Sequence, residues 1–134
     1  MTYWTNFARA AALAVAAALT PAAGALAAAQ DYEFRLVTPE VKQGDGAVVA
    51  VRLVHKPSGR AVPNAVVYGT RLDMSPDNMP TMTMPLAPVP GGEPGVYRFR
   101  TNLAMAGGWA LTLTAKVQGE EGTVENRLVF RAAP

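Results

Sequence analysis

From Tyr32 onward, apolar and polar residues alternate with the period of two that a half-buried strand requires. Tyr32-Glu33-Phe34-Arg35-Leu36-Val37 opens the series, and Pro39 ends it. Gln43-Gly44-Asp45-Gly46 has turn chemistry. It leads into Ala47 to His55, with Val49, Val51 and Leu53 on one face. After the turn at Lys56-Pro57-Ser58-Gly59, a further strand runs from Ala65 to Leu72. Strict alternation there would place Val66, Tyr68, Thr70, Leu72 and Met74 on a common face. Val96 to Thr101 predicts Tyr97 and Phe99 inward, with Arg98 and Arg100 in water. Trp109, Leu111, Leu113, Ala115 and Val117 form one face of the next strand, with Trp109 plugging the core near its start. In the last strand Val124, Asn126, Leu128 and Phe130 share a face, while Val129 lies on the other, so its inward side stays open.

No stretch after residue 30 carries a helical period. Short strands at regular spacing, separated by Gly/Pro turns, predict an all-β fold: an immunoglobulin-like antiparallel β-sandwich of six or seven strands. There is no cysteine, so such a sandwich stands on packing without a disulfide.

The N-terminus has a different pattern. Residues 8–29 are an alanine-rich apolar run that follows Arg9 and is interrupted by Pro21 and Gly24. Small residues at Ala25-Leu26-Ala27 fit an Ala-x-Ala cleavage site. The expectation is a cleaved signal peptide over 1–29, with cutting after Ala27 or Ala29, and one β-sandwich domain over 30–134. Export would place the domain in the periplasm, with no stable membrane span once the signal is removed. Of the twelve Lys and Arg residues only Arg9 lies before residue 30, leaving eleven against ten Asp and Glu, scattered without runs. That distribution offers no electrostatic footprint for nucleic acid.

One stretch departs from the strand pattern. Arg71-Leu72-Asp73-Met74-Ser75-Pro76-Asp77-Asn78-Met79-Pro80-Thr81-Met82-Thr83-Met84-Pro85 holds four of the six methionines. A core segment fills more readily with Leu, Val and Ile, which specify packing better than flexible thioethers. Pro80 and Pro85 remove backbone donors and favour extended geometry, so the stretch reads as an ordered loop or an edge strand. In an extended segment Met82 and Met84 fall on the same side. Thioethers favour soft monovalent ions such as Cu(I) and Ag(I). Met74 and Met105 lie in loops bounding neighbouring strands and are candidates to join them at one end of the sandwich. The competing reading is that these side chains plug the open end of the fold.

Other chemistries lack their parts. The only histidine is His55 and the only serines are Ser58 and Ser75, none in a nucleophile-elbow context. Asp73 and Asp77 read as turn formers before they read as a catalytic pair. No phosphate loop, dinucleotide fingerprint or zinc spacing is present. The expectation is a protein that is not an enzyme.

In order, the chain offers methionines before a loop, then Gly95-Val96-Tyr97-Arg98-Phe99, then Met105-Ala106-Gly107-Gly108-Trp109 and Leu111-Thr112-Leu113. In that order and spacing the chain resembles the YtkA-like / FixH family of small exported β-sandwich domains over roughly residues 32–131. The resemblance implies copper handling outside the cytoplasm, beside heavy-metal efflux adaptors or copper-oxidase assembly proteins as partners. It also implies a loop cluster that maps here onto Met74, Met79, Met82 and Met84, with Met105 in the later motif. This chain has no histidine in that loop and carries Thr81 and Thr83 between its methionines. A Met-only Cu(I) or Ag(I) carrier site is therefore the leading expectation. A metal-free immunoglobulin-like module that docks its Met/Pro loop on an adaptor is the alternative.

Overall fold

The computed structural model describes residues 29–134, so the predicted signal sequence lies outside the described residues apart from its last position. Among the described residues ten strands follow one another: β1 (Tyr32–Leu36), β2 (Glu40–Lys42), β3 (Gly44–His55), β4 (Arg60–Ala61), β5 (Val66–Met74), β6 (Met79–Thr83), β7 (Ala87–Val89), β8 (Val96–Leu103), β9 (Gly107–Lys116) and β10 (Thr123–Ala133). They form two sheets. One has the order β1-β3-β8-β7, with β4 paired to the end of β3; the other has the order β2-β10-β9-β5-β6. The pairings are antiparallel except for β2, which runs parallel to β10.

This is the predicted all-β sandwich, with more strands than the six or seven expected. The surplus comes from two- and three-residue pieces, β2, β4 and β7, which are too short to show a period of two. Pro88 sits inside β7 although it has no N–H to donate to a ladder. It is tolerated there because β7 is a sheet edge.

The core lies where the alternation placed it. Val49, Val51 and Leu53 from β3 meet Trp109, Leu111, Leu113 and Ala115 from β9, with Phe34, Phe99, Leu103, Val124 and Phe130 filling the layer. Trp109 is fully enclosed. In β10 the open question resolves toward Val124 and Phe130 inward, with Val129 exposed. Asn126 shares that inward face because it has a partner: its Oδ1 accepts the Phe34 backbone N–H at 2.8 Å. That bond ties edge strand β1 of one sheet to β10 of the other. Tyr97 is anchored similarly, donating its hydroxyl to the Val62 carbonyl at 2.7 Å and accepting from the Ala65 N–H at 3.0 Å. Burial holds its phenol above the ordinary pKa.

Two face assignments change. Along β5 the register against β9 shifts between Val67 and Gly69. A bulge inserts one residue and so reverses which residues face the core. Val66 and Tyr68 are therefore exposed, at 59% and 58%, while Leu72 and Met74 beyond the bulge are buried. Arg98 is the other. It is half-buried rather than free in water, lying against Gly91 and Gly92 and donating from Nη2, which stays exposed, to the Pro90 carbonyl at 3.1 Å.

Candidate metal site

The methionine stretch begins as the last residues of β5 and returns as β6 after one 3₁₀ turn, Ser75–Asp77. Local chemistry makes that reversal. Asp73 Oδ1 accepts the Ser75 N–H at 2.8 Å, an aspartate turn. Pro76 presets the first turn, and Asn78 closes it in the left-handed region at φ 59°. Asp73 Oδ2 accepts from Arg71 Nε at 2.9 Å, and Arg71 Nη2 reaches the Pro80 carbonyl at 3.1 Å. One arginine thus clamps both arms of the reversal. Hydrogen bonds from the Ser75 side chain, then from its backbone and from Arg71, hold the buried Asp73 carboxyl below its ordinary pKa despite desolvation.

Strand β6 is the outer edge of its sheet. Its contact with β5 is irregular: Asp73 faces Thr83 while the next residue, Met74, faces Met79. Four steps along β6 therefore match one along β5, so the chain swings out over Pro80-Thr81-Met82 before returning. From Met82 the alternation is clean. Met82, Met84 and Leu86 are half-buried and pack on the core, while Thr81, Thr83 and Pro85 are exposed. The Met84 N–H donates to the Leu72 carbonyl at 3.1 Å, and the Pro85 carbonyl accepts from Thr101 Oγ1 at 2.8 Å. Leu72 belongs to one sheet and Thr101 to the other, so the methionine strand crosses the seam and fastens both.

The second motif, Met105 to Trp109, is the joint on which this reversal rests. Trp109 Nε1 donates to the Met105 carbonyl at 3.0 Å, and Asp77 Oδ2 accepts the Gly108 N–H at 3.1 Å. The 3₁₀ turn lies directly on the two glycines. A Cβ on Gly108 would stand 2.9 Å from Pro76 Cβ, and one on Gly107 would collide with the Asp77 carboxylate and press on Met74 Cε. Gly107 also sits at φ 134°, so both space and backbone demand glycine.

Four of the five predicted ligands, Met74, Met79, Met82 and Met84, lie along the β5–β6 reversal, and Met105 lies in the connection between β8 and β9; their exposure differs. Met74 is fully buried and belongs to the core, so its thioether has no surface to offer an ion. Met79 faces it across the β5–β6 pair and is half-buried, as are Met82 and Met84. Met105 is exposed at 41%, two residues from the Gly107 that touches Met74. His55 lies elsewhere. It ends β3, whose other end, Gly44, pairs with Leu103 near the Met105 loop. Twelve extended residues separate these ends by roughly 30 Å or more. There His55 Nδ1 meets Ser58 Oγ at 2.7 Å and its ring packs on Tyr32.

Residues 26–114 match the family model described as YtkA-like, which is more than half of the chain. The protein belongs to the YtkA-like family. The match takes in the methionine strand and the Met105–Trp109 joint, and it ends inside β9, short of β10. A comparison with curated proteins found no match.

In this YtkA-like domain the donor chemistry is one-sided. Among the described residues no group of three or more His, Cys, Asp or Glu side chains is placed to hold a metal ion. Asp73 and Asp77 are near the methionines, but both are engaged in the turn. What remains is thioether sulfur on a proline-stiffened strand, a donor set suited to soft monovalent ions. Sequence reasoning missed Arg71 and Thr101, which position that strand. An arginine two residues before a turn-forming aspartate is a visible signal for the first; the second depends on the packing of the two sheets.

Proposed function

We propose that this YtkA-like domain is an exported soft-metal carrier that takes Cu(I) or Ag(I) on the thioethers of Met79, Met82 and Met84. The observation that carries the reading is the exposure of these residues. They line one edge strand across the seam, neither sealed like Met74 nor loose in a flexible loop. Pro80, Pro85 and the Arg71 clamp hold that strand, lowering the entropy lost when an ion is bound. Met105 is the candidate to complete the set from the neighbouring loop, and Met74 supports it from beneath. An all-thioether site that stays reachable leaves its ion exchangeable, as transfer to an efflux adaptor or an oxidase-assembly partner in the periplasm requires. Nothing in this role needs a catalytic group.

The packing of Met82 and Met84 on the core supports a second reading, a metal-free interaction module. Anaerobic titration of residues 30–134 with Cu(I), in competition with a chromogenic chelator, separates the two. The carrier reading expects stoichiometric binding that Met82→Leu/Met84→Leu abolishes while thermal unfolding stays cooperative. Failure to compete even with a weak chelator would sink the carrier and leave the module.

A further inference from the structure

Among the described residues, the seam has a second half that no strand covers. Strand β9 pairs with β5 from Val66 to Asp73, whereas β6 pairs only with Asp73 and Met74. Among the described residues no strand lies beside Val66 to Thr70 on the side away from β9. An unpaired strand edge is a template for another chain, and proteins usually blunt it with proline or charge. The other edges flanking the seam are blunted this way, with Pro80 in β6 and Pro88 in β7. Between Val66 and Thr70 there is neither proline nor charge, and Val66 and Tyr68 stand exposed.

Beside this edge runs a groove of about 440 Å³, whose walls include Val67, Val89, Tyr97 and Phe99. Arg98 also lines it. Its Nε is enclosed without a hydrogen-bond acceptor, and among the described residues the guanidinium forms no ion pair. Nη2 stays exposed beside the Pro90 carbonyl, so the guanidinium is a reachable, unpaired cation suited to an anionic acceptor.

We propose that the free edge of β5 and this groove receive an extended peptide segment from a partner protein, added as a further strand. Its apolar side chains enter the groove and a carboxylate meets Arg98. Main-chain hydrogen bonds along Val66 to Thr70 provide the affinity, and the groove with Arg98 provides the selection, as in strand-addition complexes generally. The site lies at the opposite end of β5 from Met74 and needs no metal, so it stands independently of the carrier reading.

The test is selection of random hexapeptides with free C-termini on the immobilised whole protein. The expected winners alternate apolar residues and carry a carboxylate. They shift the backbone amide signals of Val66 to Thr70 and of Val96 to Phe99. N-methylation of the peptide at alternate positions should weaken binding at least tenfold. Replacing its carboxylate by an amide should do the same, as should Arg98→Gln. The amide exchange alters only the peptide, so it decides the role of Arg98 even if Arg98→Gln fails to fold. No enrichment over an unrelated protein, or indifference to N-methylation at every position, would overturn strand addition. Octanoate binding to the same residues as tightly as the selected peptides would replace the peptide with a small carboxylate ligand and overturn it too.

Discussion

Met74 and Met82 belong to one proline-punctuated stretch, eight positions apart, and they have opposite fates. Met74 ends β5 at the point where β6 pairs with it, and it lies under the 3₁₀ turn, so its side chain is fully enclosed. Met82 lies on the edge strand that swings out from β5 and returns across the seam, so part of it stays in solvent. Residue type is identical; position relative to a sheet edge decides whether the sulfur is packing material or an available donor. A methionine-rich motif is therefore two objects here, a buried pin and a half-open row.

The sharpest break in that comparison comes from truncation. Met74→Ala should cost about 2–5 kcal/mol, the range for emptying a fully buried site. Met82→Ala should cost clearly less, because a half-buried side chain loses less contact. Urea unfolding of both variants checks this, and equal losses would mean that the row is as much core as the pin. Next comes the joint beneath them. Gly107→Val introduces a β-branched side chain at a positive φ and against Asp77, and should destabilise by roughly 2–3 kcal/mol. Unchanged thermal stability in the Gly107→Val variant would show that the turn does not rest on this glycine.

Asp73 sharpens the contrast electrostatically. Asp73→Asn should cost about 1–3 kcal/mol near neutral pH, because Arg71 and Ser75 lose a charged acceptor. The folded-state pKa of Asp73 lies below its unfolded value, so this stabilisation is fully present above about pH 4 and fades as pH falls further. The gap between wild type and variant should therefore narrow from pH 5 toward pH 2 in denaturant titrations. A gap constant over that range would remove the charge from the account. The smallest effect is expected at the exposed end: Met105→Leu should change stability by no more than about 0.5 kcal/mol. Its Cu(I) affinity, followed in the chelator assay, should fall if the side chain completes the thioether set, whereas Met74→Leu should leave that affinity unchanged.

Much of this was legible before any coordinates. Alternation identified the core faces of β3, β8 and β9, because a period of two survives whatever the sheet order is. Proline spacing identified the methionine stretch as a loop or edge strand, and β6 is such an edge. The face of β5 was misplaced because a bulge reverses parity without leaving a strong local mark; Gly69 was the only hint. Arg98 was placed in water because nothing in its strand announces the glycine loop that folds over it.

By itself, then, the sequence determined which residues have affinity for a common interior and which soft donors the protein owns. It also determined where the chain must turn, since Asp73, Pro76 and Asn78 act through bonds to their immediate neighbours. Which methionine is sealed, and that among the described residues no strand pairs with the Val66–Thr70 edge of β5 beside Arg98, were decided only by the tertiary structure. Both depend on how residues far apart in the chain pair across and between sheets. A strand's own pattern records which side is apolar, but not what will lie against it.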